Sequence, residues 1–89
     1  MMLYMVVENF RSGRPDEVSQ RFKSRGRLMP DGVPLRYIAS WMSVDGSGCY
    51  QLMEAPNRSS LDGWIANWSD LVDFEVVEVQ TSAEFWASH

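Results

Sequence analysis

The chain has 89 residues, of which 45% are hydrophobic, 12% aromatic and 22% charged, and its formal net charge is -4. This composition predicts one small globular domain over residues 1–89 and excludes a fibrous chain, a disordered segment and a membrane-spanning helix. The one cysteine, Cys49, has no partner for an intrachain disulfide, and no basic stretch precedes the first apolar run. We therefore expect a cytoplasmic protein.

The first part of the chain predicts a strand, a helix and a β-hairpin. Residues 2–9 are apolar in both alternating sets, which is typical of a strand buried on both faces. A Gly-Arg-Pro-Asp segment breaks this strand, and apolar positions at helical spacing then predict a helix that ends near Gly26. Residues 36–43 and 49–54 alternate in polarity on either side of an Asp-Gly-Ser-Gly turn, which predicts a hairpin.

The second part predicts a helix, a strand and a short terminal helix. Ser59 and Ser60 are expected to cap a helix that ends between residues 68 and 70. Residues 74–81 are β-branched and alternate in polarity, and residues 82–86 favour a short helix. The order βαββαβ predicts an α+β, ferredoxin-like fold, in which a four-stranded antiparallel sheet carries both helices on one face.

The sheet face that carries no helix must be shielded from water by some other surface. We expect Tyr4 and Val6 to lie there, where each such side chain would forfeit about 1.5–3 kcal/mol in water. Four or five of them would cancel the roughly 5–15 kcal/mol stability of a typical domain. Twofold dimers are the commonest homo-oligomers, so we predict a homodimer through this sheet face, with the sheets closing into a dimeric α+β barrel.

Charge is distributed unevenly along the chain. Residues 1–58 contain all 8 Lys and Arg with 6 Asp and Glu, whereas residues 59–89 contain 6 acids and neither Lys nor Arg, which together give -4. In an acidic chain this asymmetry favours pairing within the chain or between subunits over binding to a polyanion. We expect no nucleic-acid and no membrane partner.

Aromatic side chains form the first candidate site. Trp64 and Trp68 lie one helical turn apart, and Tyr37 and Trp41 share one face of their predicted strand. In one interpretation these rings only pack the core. In the other they leave a pocket between the helices and the sheet, where they and Gln51 bind a flat apolar molecule.

Glu54 is the candidate catalytic residue. It ends an apolar strand with the parity of Tyr50 and Leu52, so its carboxylate is either paired with Arg36 or partly buried near a ligand. In the second case it would remove a proton from a bound phenol or keto compound. Gln51, Tyr37 or Trp41 would then donate hydrogen bonds to the developing oxyanion.

Metal and nucleophile chemistry find no support. His89 is the only histidine and ends the chain, and together with Cys49 it gives no metal-ligand spacing and no nucleophile–base pair. We expect neither a metal nor an organic cofactor.

Several motifs together resemble a known family. They are Leu3-Tyr4-Met5-Val6, Arg25-Gly26-Arg27, Pro30-Asp31-Gly32, Gln51-Leu52-Met53-Glu54, Trp68-Ser69-Asp70-Leu71 and Phe74-Glu75-Val76-Val77. The sequence is similar over most of its length to the bacterial family domain of unknown function 3303, within the dimeric α+β barrel superfamily. The resemblance implies the ferredoxin-like fold and the dimer, and no established activity.

The wider superfamily includes cofactor-free monooxygenases, haem-degrading enzymes and isomerases, in which a third strand often ends in Glu and the second helix carries His. Glu54 matches that acid, but Trp64 and Trp68 occupy the approximate histidine positions, which counts against oxygenase and haem chemistry. The leading interpretation is a homodimer that binds a small apolar or aromatic molecule. The alternatives are a cofactor-independent monooxygenase or isomerase using Glu54, and a protein-interaction or regulatory subunit.

Overall fold

A four-stranded antiparallel sheet organises the chain in the computed structural model, which describes residues 1–89. The strand order is β2-β3-β1-β4, and it confirms the predicted α+β, ferredoxin-like fold. No helix is both long enough and apolar enough to cross a membrane. The elements are β1 (Met2–Phe10), α1 (Asp16–Arg25), β2 (Arg36–Met42), β3 (Gly48–Ala55), a 3-10 turn (Arg58–Leu61), α2 (Asp62–Ala66), β4 (Val72–Val79) and α3 (Ser82–Ala87).

The first helix begins and ends where the sequence predicts. Pro15 is the N-cap of α1, and Gly26, with φ 69°, ends it because a residue without Cβ adopts positive φ at little cost. Acidic residues in the first turn and basic residues in the last complement the helix dipole. No residue of α1 is buried, so this helix stands over the sheet without sealing it.

The second helix is shorter than predicted. Asn57, rather than Ser59 or Ser60, caps this segment, because its side chain accepts a hydrogen bond from the Ser60 N–H at 3.0 Å. A 3-10 turn comes first, and α2 ends at Ala66. The backbone N–H of Trp68 donates to the carbonyl of Ile65 at 3.0 Å, so a tight turn, not a longer helix, places this tryptophan.

The last strand lies two residues earlier than predicted. β4 spans Val72–Val79, because Val72 pairs with Phe10 at the end of β1. Residues 80 and 81 leave the sheet, and the Thr81 hydroxyl accepts a hydrogen bond from the Glu84 N–H at 3.1 Å, which caps α3. The predicted short terminal helix is confirmed.

The core lies on the sheet face covered by the 3-10 turn and α2. Its buried residues are Tyr4, Val6, Phe10, Cys49, Met53, Ala55, Leu61, Trp64, Trp68 and Val72. Tyr4 and Val6, at 2% and 0% exposure, therefore do not lie on the uncovered face, and that expectation was wrong. The uncovered face instead carries Leu3, Met5 and Val7. Both alternating sets of β1 are apolar, so polarity alone does not assign the faces.

A β-bulge in β2 separates two residues predicted to share a face. The register with β3 shifts between Tyr37 and Ala39, so Tyr37 pairs with Met53 on the core side. Trp41 pairs with Tyr50 on the opposite side, which we call the open face. One extra residue in a strand reverses the side-chain alternation after it, and the prediction that Tyr37 and Trp41 share a face was therefore wrong.

Candidate functional site

A cavity of about 450 Å³ lies between α1 and the core side of the sheet. We call it the α1 cavity. It exists because α1 buries none of its side chains, so the space that a tightly packed helix would fill stays open. Its volume falls within the range typical of small-molecule pockets.

The walls of the α1 cavity are mostly apolar and include aromatic rings from three parts of the chain. The apolar residues are Phe10, Pro15, Val18, Phe22, Met42, Cys49, Trp64 and Trp68, and the polar ones are Glu8, Ser19, Arg27, Ser40 and Gln51. An apolar pocket with a few polar groups is the usual form of a small-molecule site, because the apolar walls give affinity and the polar groups give orientation.

Glu8 is the one carboxylate that faces the cavity. It lies on β1, between Cys49 of β3 and Phe74 of β4, and its Oε2 atom is buried without a hydrogen-bond partner from the protein. Burial raises the pKa of Glu8 from its ordinary 4.5 to about 7, and the positive charge of Arg27 opposes this rise. Glu8 can therefore exchange a proton near neutral pH.

Arg27 supplies the positive charge of the site. Its guanidinium carbon lies 3.7 Å from the centre of the Tyr37 ring and 5.2 Å from that of Phe22, and its Nε is buried without a hydrogen-bond partner. Contacts with two ring faces hold the cation at the cavity wall. The Nε–H therefore remains free to donate to a bound molecule.

The backbone of Arg27 is fixed by the segment that contains α2. The indole N–H groups of Trp64 and Trp68 both donate to the Arg27 carbonyl, at 3.0 and 2.8 Å, and the Asn67 side-chain amide donates to the next carbonyl at 2.8 Å. That next residue, Leu28, has φ 57°, which is unusual for a residue with a branched side chain. Strain at Leu28 thus accompanies the turn that brings Arg27 to the cavity.

Three of the predicted ligand-binding residues line the α1 cavity. Gln51 is 6% exposed, and its side-chain amide reaches the Met53 sulfur at 3.2 Å. Trp64 and Trp68 are also buried, with their rings in the wall and their N–H groups on Arg27. These residues therefore serve core packing and the cavity at once, so the two interpretations of the aromatic residues do not exclude each other.

The other predicted site residues lie outside the cavity. Tyr37 reaches it only indirectly, through its contact with Arg27 and a 2.8 Å hydrogen bond to the lining residue Ser40. Trp41 is 55% exposed on the open face. Glu54 also lies on the open face, where its carboxylate is 3.5 Å from Arg36. The structure therefore separates Glu54 from the pocket-lining residues and gives it the ion pair with Arg36.

The Cys49 thiol, which lines the α1 cavity, has low reactivity. Burial and, to a smaller extent, the nearby Glu8 carboxylate together raise the pKa of Cys49 to about 11. Because the thiolate is the reactive form, Cys49 is not prepared to act as a nucleophile at neutral pH. No three His, Cys, Asp or Glu side chains come together in a way that could hold a metal ion.

Sequence reasoning missed Glu8 and Arg27. Glu8 has the parity of Tyr4, Val6 and Phe10. A carboxylate on an otherwise apolar strand face indicates a candidate site residue, and this pattern is visible in the sequence. Arg27 follows the end of α1 and has no periodic neighbour, so nothing local indicates that it turns back towards the sheet. Its place depends on hydrogen bonds to residues 37 and 41 positions away.

A family model described as "Domain of unknown function (DUF3303)" matches residues 2–89. The family resemblance seen in the motifs is thereby confirmed. No curated protein and no solved structure matches the chain.

Proposed function

We propose that this chain, which belongs to the DUF3303 family, binds a small, flat and largely apolar molecule in the α1 cavity. The single observation that carries the proposal is a cavity of about 450 Å³ with aromatic walls and a buried carboxylate that has no protein partner. A regulatory subunit without a ligand would be expected to have a packed interior, since empty space costs stability. The cavity therefore favours ligand binding over that alternative.

The proposal can be tested by NMR, because the indole N–H groups report on different places. Trp64 and Trp68 line the cavity, whereas Trp41 lies on the open face and Trp86 is 71% exposed on α3. Titration with β-naphthol and with its methyl ether should shift the indole signals of the two cavity tryptophans. The signals of the other two should stay in place, and shifts there alone would refute the proposal.

A cavity-filling variant gives a second test. Ser19 lines the cavity from α1, so Ser19→Phe should occupy part of the space and weaken binding about tenfold or more. The neighbouring Gln20 is exposed, and Gln20→Phe is the matched control for an added ring on the same helix. Equal binding by the two variants would place the ligand elsewhere.

We also propose that the chain forms a homodimer through the open face, as in a dimeric α+β barrel. Trp41, Tyr50 and Val77 are 55%, 47% and 45% exposed, and all three lie on that face. The partly buried side chains of Leu3, Met5 and Val7 continue the apolar surface along β1. Contiguous apolar surface of this kind is typical of protein interfaces, and a twofold axis would cover it with its own copy.

Light scattering across micromolar concentrations tests the dimer. Tyr50→Glu puts a charge in the middle of the open face and should shift the mass to that of a monomer. Val44→Glu is the control, because Val44 is fully exposed in the hairpin turn outside the strands. A wild-type monomer at every concentration would contradict the proposal.

The Glu54 alternative depends on the same dimer, since Glu54 lies on the open face and not in the cavity. A monooxygenase or isomerase site there would need a ligand between two sheets.

The free thiol of Cys49 suits a reducing compartment, which supports the expected cytoplasmic location.

A further inference from the structure

The polar wall of the α1 cavity contains one fully buried acceptor and one fully buried donor that lack a protein partner. Glu8 Oε2 and Arg27 Nε are both buried, and neither has a hydrogen-bond partner in the protein. Buried polar atoms are nearly always paired, so two unpaired atoms of opposite hydrogen-bonding character at one cavity are informative. Leaving both unpaired costs stability that a suitable ligand would recover.

We propose that the α1 cavity recognises an aromatic hydroxyl compound, whose O–H donates to the Glu8 carboxylate while its oxygen accepts from Arg27 Nε–H. This inference rests on the proposed function and names the ligand class. A hydroxyl group both donates and accepts, and so it can satisfy both residues at once. The aromatic ring of the compound would contact Trp64, Trp68 and Phe22 in the apolar wall.

A carboxylate, an ammonium group and an ether each satisfy only half of this arrangement. A carboxylate accepts from Arg27 but brings a second negative charge next to Glu8. An ammonium group donates to Glu8 but meets the Arg27 cation. An ether accepts from Arg27 and has no hydrogen to give to Glu8, so it leaves that carboxylate unpaired. The hydroxyl-to-ether comparison therefore isolates the Glu8 contact while the aromatic ring stays the same.

The experiment measures calorimetric affinity for β-naphthol and for its methyl ether. At about pH 8 the wild-type protein should bind the naphthol about tenfold or more tightly than the ether, the value expected for a hydrogen bond to a charged group. Glu8→Gln should remove most of this preference and leave the affinity for the ether nearly unchanged. Glu54→Gln, on the open face, is the matched control and should keep the preference.

The pH dependence of the wild-type preference is a second readout that needs no variant. Ionised Glu8 only accepts and does so strongly, whereas protonated Glu8 accepts more weakly and can itself donate to an ether oxygen. The preference should therefore fall as the pH is lowered from about 8 to about 5.5. Two groups face Glu8: the Arg27 guanidinium and the Cys49 thiol, which stays protonated over this range because its pKa is about 11. The residues that α1 and the α2 segment bring to the cavity are all uncharged.

The outcomes separate this inference from the proposed function. Equal affinity for the naphthol and the ether, with the cavity tryptophan signals shifted, would keep the binding function and overturn the hydroxyl assignment. A preference that persists in Glu8→Gln and at low pH would also overturn it. If neither compound shifts the signals of Trp64 and Trp68, the proposed function itself fails and the inference fails with it.

Discussion

Replacing Glu8 with Gln should stabilise the protein above neutral pH and have little effect in mild acid. The pKa of Glu8 is about 7 in the folded chain against an ordinary 4.5, so the folded state binds this proton more tightly than the unfolded chain does. The resulting stabilisation is fully present below the ordinary pKa and is lost as the pH rises through about 7. Glutamine does not titrate, so the variant should lack this loss.

The magnitude follows from the difference between these two pKa values. A pKa difference of one unit between the folded and unfolded states corresponds to about 1.4 kcal/mol. The difference between 4.5 and about 7 therefore amounts to roughly 3 kcal/mol of unfolding free energy that is lost at alkaline pH. Water that enters the α1 cavity would reduce this value. The variant should therefore be more stable than the wild type at about pH 8.5, by up to roughly 3 kcal/mol, and similar to it at about pH 4.5.

Urea denaturation followed by tryptophan fluorescence measures this effect at one fixed protein concentration, because any association of subunits makes stability depend on concentration. The pKa values of Asp45 and Asp70 are about 2, so both stay ionised over the chosen range. Glu75→Gln, an exposed carboxylate on the open face, controls for the loss of one negative charge. If Glu8→Gln changes stability equally at both pH values, a buried, proton-binding Glu8 is refuted.

Three further predictions concern the core and the cavity wall. Cys49, whose pKa is about 11 against an ordinary 9.0, should have about a hundredfold less thiolate than a free thiol, and its labelling by a disulfide reagent should be slow until urea is added. Gly48→Ala should cost about 1–3 kcal/mol in thermal unfolding, because a Cβ there overlaps the carbonyl oxygen of Glu8, and an unchanged melting temperature would contradict this contact. Met53→Ala should cost about 2–5 kcal/mol in urea, far more than the same change at Met42, which is 52% exposed.

The order of elements was predictable because its signals are local. Pro15 and Gly26 mark the ends of α1, and an Asp-Gly-Ser-Gly turn between two alternating runs marks the hairpin. The end of α2 was not predictable in the same way. Asn57 caps the 3-10 turn that precedes α2, two to three residues before the expected Ser59 and Ser60. The apolar spacing of Trp64 and Trp68 fits both a helix and a tighter turn.

The candidate site was predictable only in part. Gln51, Trp64 and Trp68 line the cavity, because the alternation of β3 and the helix and tight turn of the α2 segment direct these buried side chains to one side. Tyr37 and Trp41 were placed on one face, but a single extra residue in β2 puts them on opposite faces. Bulges of this kind depend on pairing with a neighbouring strand, and such pairing leaves little trace in the strand's own residues.

Local chemistry along the chain was enough to specify a βαββαβ domain, since caps, turns and alternation act over a few neighbouring residues. The choice of which apolar set of β1 faces the helices, the open space under α1 and the meeting of Glu8 with Arg27 arise from contacts between distant segments. The pKa of a carboxyl group depends on desolvation and on charges close to it in space, and these exist only once the chain has folded around Glu8.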